Sequence, residues 1–390
     1  MKICGYRIEQ YVMKLSRPVA DANLPGGVDL MPASLLYLDT DEGISGLSLG
    51  WGGPAVGTLF RALEGRHPGD VVALWSVMND WVHKGGNEGE ANLALSSLDI
   101  ALWDLKAKIA GQPLWRLLGA REGRVKVYAS GLDYSLSDEE LFSFYQRMAQ
   151  RGITAGKLKV GLDLAADLRR LNIMREALSA ATSQPELMID ANEYWSPKQA
   201  VRYIRQIEER IALSCVEEPA RRWDYDGLSL VSRQVRADVA TGENLNSVAD
   251  FYPLITQGAV DVVNVSQIHS GITGCRQVAN LARLYGLPVS MTNSTANFMG
   301  HLAAALPNHT TLEHLDCGRE QCLLFSHHID GGDLVLGNEP GLGIEVDVAR
   351  LRELQAHPPE GKARFPFPRR AGAGRYLVPP AADEVSWSLD

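Results

Sequence analysis

From residue 125 onward the chain is a succession of short apolar runs, each followed by an amphipathic stretch. The runs are VKVYAS (125–130), AGKLKV (155–160), ELMID (186–190), LSCVEE (213–218), VATGE (239–243), VDVVNVS (260–266), LPVSMTN (287–293) and TLEHLD (311–316). Each has the length of a strand. Between them, LAADLRRLNIMREAL (164–178) places Leu164, Leu168, Leu171 and Leu178 on one helical face. Eight such units, spaced about 20–31 residues apart, exceed what a doubly wound sheet usually carries and predict a (β/α) barrel. No Gly-x-Gly-x-x-Gly follows any run, which weakens a dinucleotide-binding reading.

Residues 1–125 have a different texture, mixed α/β. MKICGYRIEQYVM and SLLYLDTDEGISGLSLG alternate in the manner of two strands. Between them lies SRPVADANLPGGVDLMP (16–32), long and rich in turn formers, the composition expected of a lid. A Gly-rich turn, GWGGPAVG, occupies 50–57. Helical text follows, and in its last stretch Leu95, Leu98, Ala101, Leu102 and Leu105 recur at helical spacing. At the other end, GGDLVLGNEPGLGIEVD (331–347) reads as two short strands or turns, and a Pro-, Gly- and Ala-rich tail (357–383) as a draped or partly disordered segment.

Barrel enzymes carry their chemistry at the C-terminal ends of the strands. The second run ends with Lys157 and Lys159, two residues apart and so on one face of a strand, with Leu158 toward the helices. The third ends with Asp190, with Asn192 on the same side. The fourth ends with Glu217 and Glu218, of which alternation lets only one point inward, and the fifth ends with Glu243. The steps 190→217 and 217→243 are 27 and 26 residues, one barrel unit each. Three neighbouring strands therefore bring a carboxylate each to one rim. Such a cluster repels itself unless a cation joins it, and oxygen-only donors select a hard divalent ion such as Mg²⁺. An ammonium beside a metal ion and a second ammonium has a depressed pKa, so one lysine is expected to serve as a neutral base. A lysine base beside Mg²⁺ suits removal of a proton next to a carboxylate.

The remaining composition narrows the partners. With 47 acidic against 38 basic side chains, a formal charge of −9, the chain repels polyanions, and nucleic acid is not an expected partner. No window holds the ~18 consecutive apolar residues of a membrane span, and the first residues lack a secretory signal's apolar run. Cys4, Cys215, Cys275, Cys317 and Cys322 are too few and too scattered for a disulfide framework, which points to inert thiols and a reducing, cytoplasmic setting.

These residues resemble the mandelate racemase and muconate lactonizing enzyme branch of the enolase superfamily. KLKVG (157–161), IDANEYW (189–195), VEEP (216–219) and TGEN (241–244) are similar to its base and metal motifs. ALSSLDIALWDLKAKIAGQPLWRLLGA (94–120) is similar to its linker helix, and GITG (271–274), HLAAALP (301–307), LEHLD (312–316) and PGLGIEVD (340–347) fit in order. The resemblance covers about residues 1–350. It implies an α/β protein, a modified TIM barrel (β/α)₇β with an N-terminal α+β capping domain. The division expected is 1–125 for the cap, 126–325 for the barrel, and 326–390 for a C-terminal segment completing the cap. It further implies Asp190, Glu217 and Glu243 as Mg²⁺ ligands, Lys159 as base, and Lys157 against the substrate carboxylate, lowering the pKa of Lys159. A lysine base with Mg²⁺ is already the known pattern of that superfamily. A small-molecule carboxylate substrate and a homo-oligomer go with it.

The departures bear on the reaction. Racemising members carry a His on the seventh strand and an Asp on the sixth; lactonizing and epimerising members carry a Lys on the sixth. The sixth-strand position here is Ser266 or Val265, and the seventh Asn293 or Thr292; none is an acid or base. Glu313, on the eighth, matches the acid that hydrogen-bonds the substrate carboxylate. The chain looks one-sided, unless His269 supplies an acid from the loop. Dehydration of a sugar acid or related hydroxy acid to a 2-keto acid is the favoured expectation. Cycloisomerisation or epimerisation/racemisation is the alternative, and a non-catalytic metal-binding relative the third. Asn192, Ser266, Asn293 and Glu313 are the expected substrate contacts. Glu218 is expected behind the metal ligands, pairing a lysine. Trp51, Tyr134 and Trp195 either wall the pocket or pack the core. His301 caps or packs, and the adjacent His327 and His328 point apart.

Overall fold

The computed structural model describes residues 1–50, 53–363, 368–370 and 373–374. Among these, an antiparallel sheet comes first, in the order β1 (Ile3–Val19), β2 (Val28–Thr40) and β3 (Ser45–Ser48). Helices α1 (Pro54–Phe60), α2 (Val71–Trp81), α3 (Gly89–Ile109) and the single turn α4 (Leu114–Leu117) follow. The segment 16–32 is not the loop that its composition suggests. β1 runs to Val19 and β2 starts at Val28, which leaves 20–27 as the connection. Pro32 sits in β2 opposite Val12, but pairing with β3 begins only at Leu36, so no ladder bond is lost to the missing N–H on that side. The 50–57 turn is likewise shortened, because α1 starts at Pro54, a residue pre-set for a first helical position. Trp51 lies outside the described residues.

The eight apolar runs become, among the described residues, eight parallel strands: β4 (Arg124–Ser130), β5 (Ala155–Lys159), β6 (Glu186–Asp190), β7 (Cys215–Glu217), β8 (Asp238–Thr241), β9 (Val262–Val265), β10 (Val289–Met291) and β11 (His309–Leu315). They pair in chain order, and β11 pairs with β4 to close the barrel. Helices α5 (Asp138–Gln150), α6 (Leu164–Leu178), α7 (Pro197–Glu208), α8 (Tyr225–Gln234), α9 (Val248–Thr256), α10 (Gly271–Leu284) and the short α11 (Gly300–Ala303) separate them, and no helix separates β11 from the closing edge. This is the (β/α)₇β arrangement. Helix starts are marked locally: Ser137 and Glu140 form a capping box at α5, Ser196 and Gln199 another at α7, and Asp163 caps α6. No helix among the described residues is long and apolar enough to cross a membrane.

The chain then splits its attentions. After β12 (Leu323–Phe325), a hairpin of β13 (His328–Asp330) and β14 (Asp333–Val335) adds antiparallel to β4 of the barrel. β15 (Ile344–Val346) returns to pair with β12, and α12 (Val348–Ala356) reaches the cap, where Arg352 holds Glu9 on β1 through two contacts of 2.8 Å. α3 ties these parts together. Its Leu95, Leu98, Ala101, Leu102 and Leu105 are buried. Its Asp104 accepts from the backbone of Leu47 in β3 and of Leu342 near the C-terminal end, each at 2.7 Å. One continuous apolar core runs from cap to barrel. Inside the barrel, Tyr128, Ala155 and Met188 pack below the lysines and floor the site.

Candidate functional site

Strand register builds the site. Lys159 stands beside Asp190 across β5 and β6, and Asp190 beside Glu217 across β6 and β7, so base and acids form one row along the barrel rim. Lys159 Nζ lies 2.5 Å from Asp190 Oδ2. Lys157 Nζ is 2.7 Å from Glu217, 3.1 Å from Glu313 and 3.5 Å from Asp190. All of these side chains are buried. Behind the row, Asp133 accepts from the backbone N–H of Lys159 at 3.1 Å, and the Tyr145 hydroxyl donates to the Lys157 carbonyl at 2.6 Å and approaches Asp133 at 2.7 Å. The two lysines are therefore fixed through their main chain as well as their tips.

The electrostatics differ from the expectation of a depressed lysine. Burial pulls Lys157 and Lys159 down, but Glu217 and Glu313 around the first and Asp190 beside the second outweigh it, and both ammonium groups are held above their ordinary range. The cause is direct contact of the lysines with the carboxylates. The acids show the counterpart. Burial and neighbouring carboxylates push Glu217 up to about 8 and Glu243 up to about 7. Glu313 goes the other way despite burial, because Lys157 and Lys159 face it and Asn293 donates to it. Glu217 Oε1 is buried without a hydrogen-bond partner. Among the described residues no three acidic, His or Cys groups converge as a metal-ligating cluster, and lysine ammonium groups contact Asp190 and Glu217. The donor chemistry nonetheless fits a hard divalent ion: carboxylate oxygens only, one of them unpaired, and two acids raised by crowding.

A cavity of about 690 Å³ opens above this row and is lined by Lys159, Asn192, Glu243, Ser266, Asn293 and Glu313, among others. The expected contacts are thus brought together, with several corrections. Glu218 also lines the cavity. β7 ends at Glu217 and Glu218 takes a left-handed φ of 45°, so strand alternation no longer governs it. Its Oε1 accepts from Asn244 at 2.8 Å rather than pairing a lysine. Of the alternatives, Ser266 lines the cavity while Val265 is in the core; Thr292 and Asn293 both reach the lining. Asn192 Oδ1 is buried and unpaired. Tyr134 and Trp195 do not line the cavity: Trp195 is core and donates to the Gly161 carbonyl at 3.0 Å, and Tyr134 packs under Arg170. Cys4 is exposed, against the expectation of buried thiols, whereas Cys275, Cys317 and Cys322 are buried. His301 packs between Trp115 and Leu342, and His327 is buried against Phe325 while His328 is exposed.

His269 does not supply the missing acid. Its Nδ1 accepts from the Ser266 N–H at 2.9 Å, so its other nitrogen carries the proton and lies 3.1 Å from the Glu243 carbonyl. Burial pushes its pKa down to about 4. It is a neutral brace under Glu243. A folded pKa below the unfolded 6.5 means stability present above 6.5 and lost as pH falls from there toward 4. His269→Asn, which lacks this titration, should trail the parent by a constant margin above pH 7. That margin should shrink by up to about 3 kcal/mol toward pH 4 in urea melts. A margin flat across pH 4–8 contradicts the assignment.

Several lining residues escaped sequence reading. Asp21 and Asn23 enter from the 20–27 connection, with Asn23 Nδ2 donating to the Asn192 carbonyl at 2.9 Å. Arg221 and Arg222 follow the Glu-Glu-Pro turn and pair with Glu193 at 3.3 and 2.6 Å. Tyr11, Met13 and Met31 show that the cap's strands, not only its loop, face the cavity. Arg319 lies just past β11, in the class of post-strand loops where barrel sites sit, and that rule could have found it.

Comparison with known proteins agrees with this architecture. Residues 141–350 match the enolase C-terminal domain-like family, and residues 15–119 the N-terminal domain of the mandelate racemase / muconate lactonizing enzyme family. The chain is 31% identical over 363 residues to a 3,6-anhydro-alpha-L-galactonate cycloisomerase of Streptomyces coelicolor, spanning 89% of this chain and 98% of that one. It is 30% identical over 362 residues to the L-talarate/galactarate dehydratase of Salmonella typhimurium, spanning 88% of each. A solved racemase from Streptomyces coelicolor with bound magnesium superposes with a TM-score of 0.82 at 29% identity, covering 90% of this chain and 99% of the other.

Proposed function

The chain belongs to the mandelate racemase / muconate lactonizing enzyme branch of the enolase superfamily, and from that premise we propose that it is a Mg²⁺-dependent dehydratase of a sugar acid or related hydroxy acid. The observation that carries this reading is the one-sided placement of titratable groups. Lys159 stands in register with the acids on one side. Asn293, at the seventh-strand position, is an amide that donates to Glu313 at 2.7 Å and accepts from Arg319 at 2.7 Å. Ser266 and the neutral His269 add no base there. Racemisation needs a base on each face of the α-carbon; elimination needs one.

Asp190, Glu217 and Glu243 are the residues that would hold Mg²⁺, which when bound supplies Lewis-acid charge to the substrate carboxylate. The carboxylates so engaged pull less on the Lys159 ammonium, which favours its neutral form. Lys157 pairs with the substrate carboxylate, and the ionised Glu313 fixes the Lys157 ammonium at 3.1 Å. Lys159 takes the proton from C2, the C3–O bond breaks, and the ammonium returns a proton to the departing hydroxide as water. The resulting enol takes a proton from solvent at C3 and becomes the 2-keto acid. Cycloisomerisation is the second reading, because it too needs a single proton-transfer face and a cycloisomerase relative aligns along 89% of this chain.

The test is incubation with Mg²⁺ and a panel of sugar acids in D₂O. A 2-keto acid carrying deuterium at C3 is the expected product. Isomer or α-deuterated substrate without keto acid gives the second reading, and no reaction with any acid leaves a binding role.

A further inference from the structure

The cavity's charges are unevenly distributed. Asp21, Glu193, Glu218 and Glu243 line it on the sides of the connection 20–27 and the third to fifth barrel strands. On the seventh- and eighth-strand side the acid is Glu313, already neutralised by Lys157 at 3.1 Å. There, across the mouth from the Lys159 row, Arg319 lines the cavity. Its Nη1 donates to Asn293 Oδ1 at 2.7 Å and its Nη2 to the Ser294 carbonyl at 3.3 Å; its Nε is buried without a partner. Both acceptors are neutral, and among the described residues Arg319 enters no ion pair. Arg221 and Arg222, by contrast, pair with the Glu193 carboxylate.

A half-buried guanidinium facing only neutral acceptors is under-compensated, and its planar fork matches a carboxylate. Arg319 is also held in place. Lys157, Glu313, Asn293 and Arg319 form a chain of contacts of 3.1, 2.7 and 2.7 Å, with a cation at each end and a fixed amide between. We propose that Arg319 receives a second carboxylate of the substrate, so that the substrate is a dicarboxylic sugar acid, an aldarate, rather than an aldonate. The inference rests on the reading above for where the first carboxylate sits, near Lys157 and the acids. A cavity of about 690 Å³ has room for a six-carbon diacid.

The test compares matched pairs that differ only in the terminal group, galactarate against galactonate and the glucose and mannose counterparts, by titration calorimetry on the full chain with Mg²⁺. In the parent, the aldarate of at least one pair should bind about 30-fold or more tighter than its aldonate, the worth of one well-placed charge pair. Arg319→Gln should bring that pair within about threefold by weakening the aldarate alone. Arg319→Lys, which keeps the charge but not the fork, should retain part of the preference and serves if the glutamine variant does not fold. No preference in any pair, no binding at all, or a preference that survives Arg319→Gln overturns the proposal. Deuterium exchange run on the same pairs separates it from the proposed reaction. Turnover of aldonates and aldarates alike sinks only the role of Arg319. Arg319-dependent aldarate binding without exchange or keto acid sinks only the dehydratase.

Discussion

Lys159→Ala should lower kcat by about 10²–10⁴-fold, the range that a positioned proton-transfer group contributes, while Mg²⁺ binding persists. The expected signature is loss of both keto acid and solvent deuterium incorporation. A variant that merely bound substrate badly would keep a normal kcat at saturation. Lys159→Arg should not rescue turnover. Arginine restores the charge opposite Asp190, but a guanidinium does not give up its proton in a protein. Stability changes little in the expected case, because Asp190 also lies 3.5 Å from Lys157 and is not stranded. Lys157→Met should act differently, through KM more than kcat, because Lys157, which touches Glu217 and Glu313, is the group proposed to hold the carboxylate. A Lys159→Ala enzyme within threefold of the parent would end the assignment of Lys159 as base.

How far these residues can be read without coordinates depends on what places them. Lys157, Lys159, Asp190 and Glu217 sit at strand ends, and two local regularities, alternation along a strand and one barrel unit between strands, suffice to put them on a common rim. Where the backbone leaves those regularities, the reading fails. Glu218 follows a strand that has ended and has a positive φ, so a rule for strands assigned it the wrong side. From the sequence His269 is a candidate acid because it follows Ser266 by three residues in the loop; that both its nitrogens are used by Ser266 and Glu243 is a tertiary fact with no trace in the loop's composition. The 16–32 segment has the composition of a lid because Pro18, Pro25 and Pro32 and its glycines suggest turns. The pairing of Val19 with Val28 was set instead by the long hairpin that carries it. The compensation state of Arg319 depends on Asn293 and Ser294, 26 and 25 residues away.

Mg²⁺ should stabilise the protein, and more so as pH rises. Burial and mutual repulsion push Glu217 up to about 8 and Glu243 up to about 7. A folded pKa above the unfolded value near 4.5 means that the stabilising contribution is full below 4.5 and is lost as pH climbs through 7 to 8. In EDTA, these two groups therefore make the folded state progressively less favoured between pH 5 and pH 8.5. A metal ion needs the ionised carboxylates, so it must displace those protons, and its binding strengthens over the same interval. At 100-fold excess over Kd the added stability is about 2.7 kcal/mol, read as a rise in Tm that is small at pH 5.5 and full at pH 8.5. EDTA should also abolish turnover. Glu243 is the informative position. Asn244 is its side-chain hydrogen-bond partner, at 3.3 Å, and among the described residues it has no lysine contact, unlike Asp190 and Glu217. Glu243→Gln should therefore melt at or above the parent at pH 8.5 in EDTA and yet lose most of the gain from Mg²⁺ and the turnover with it. An equal Mg²⁺ shift in parent and variant would remove Glu243 from the ligand set. A variant destabilised in EDTA would show that stabilising contacts of the Glu243 carboxylate outweigh its burial and repulsion.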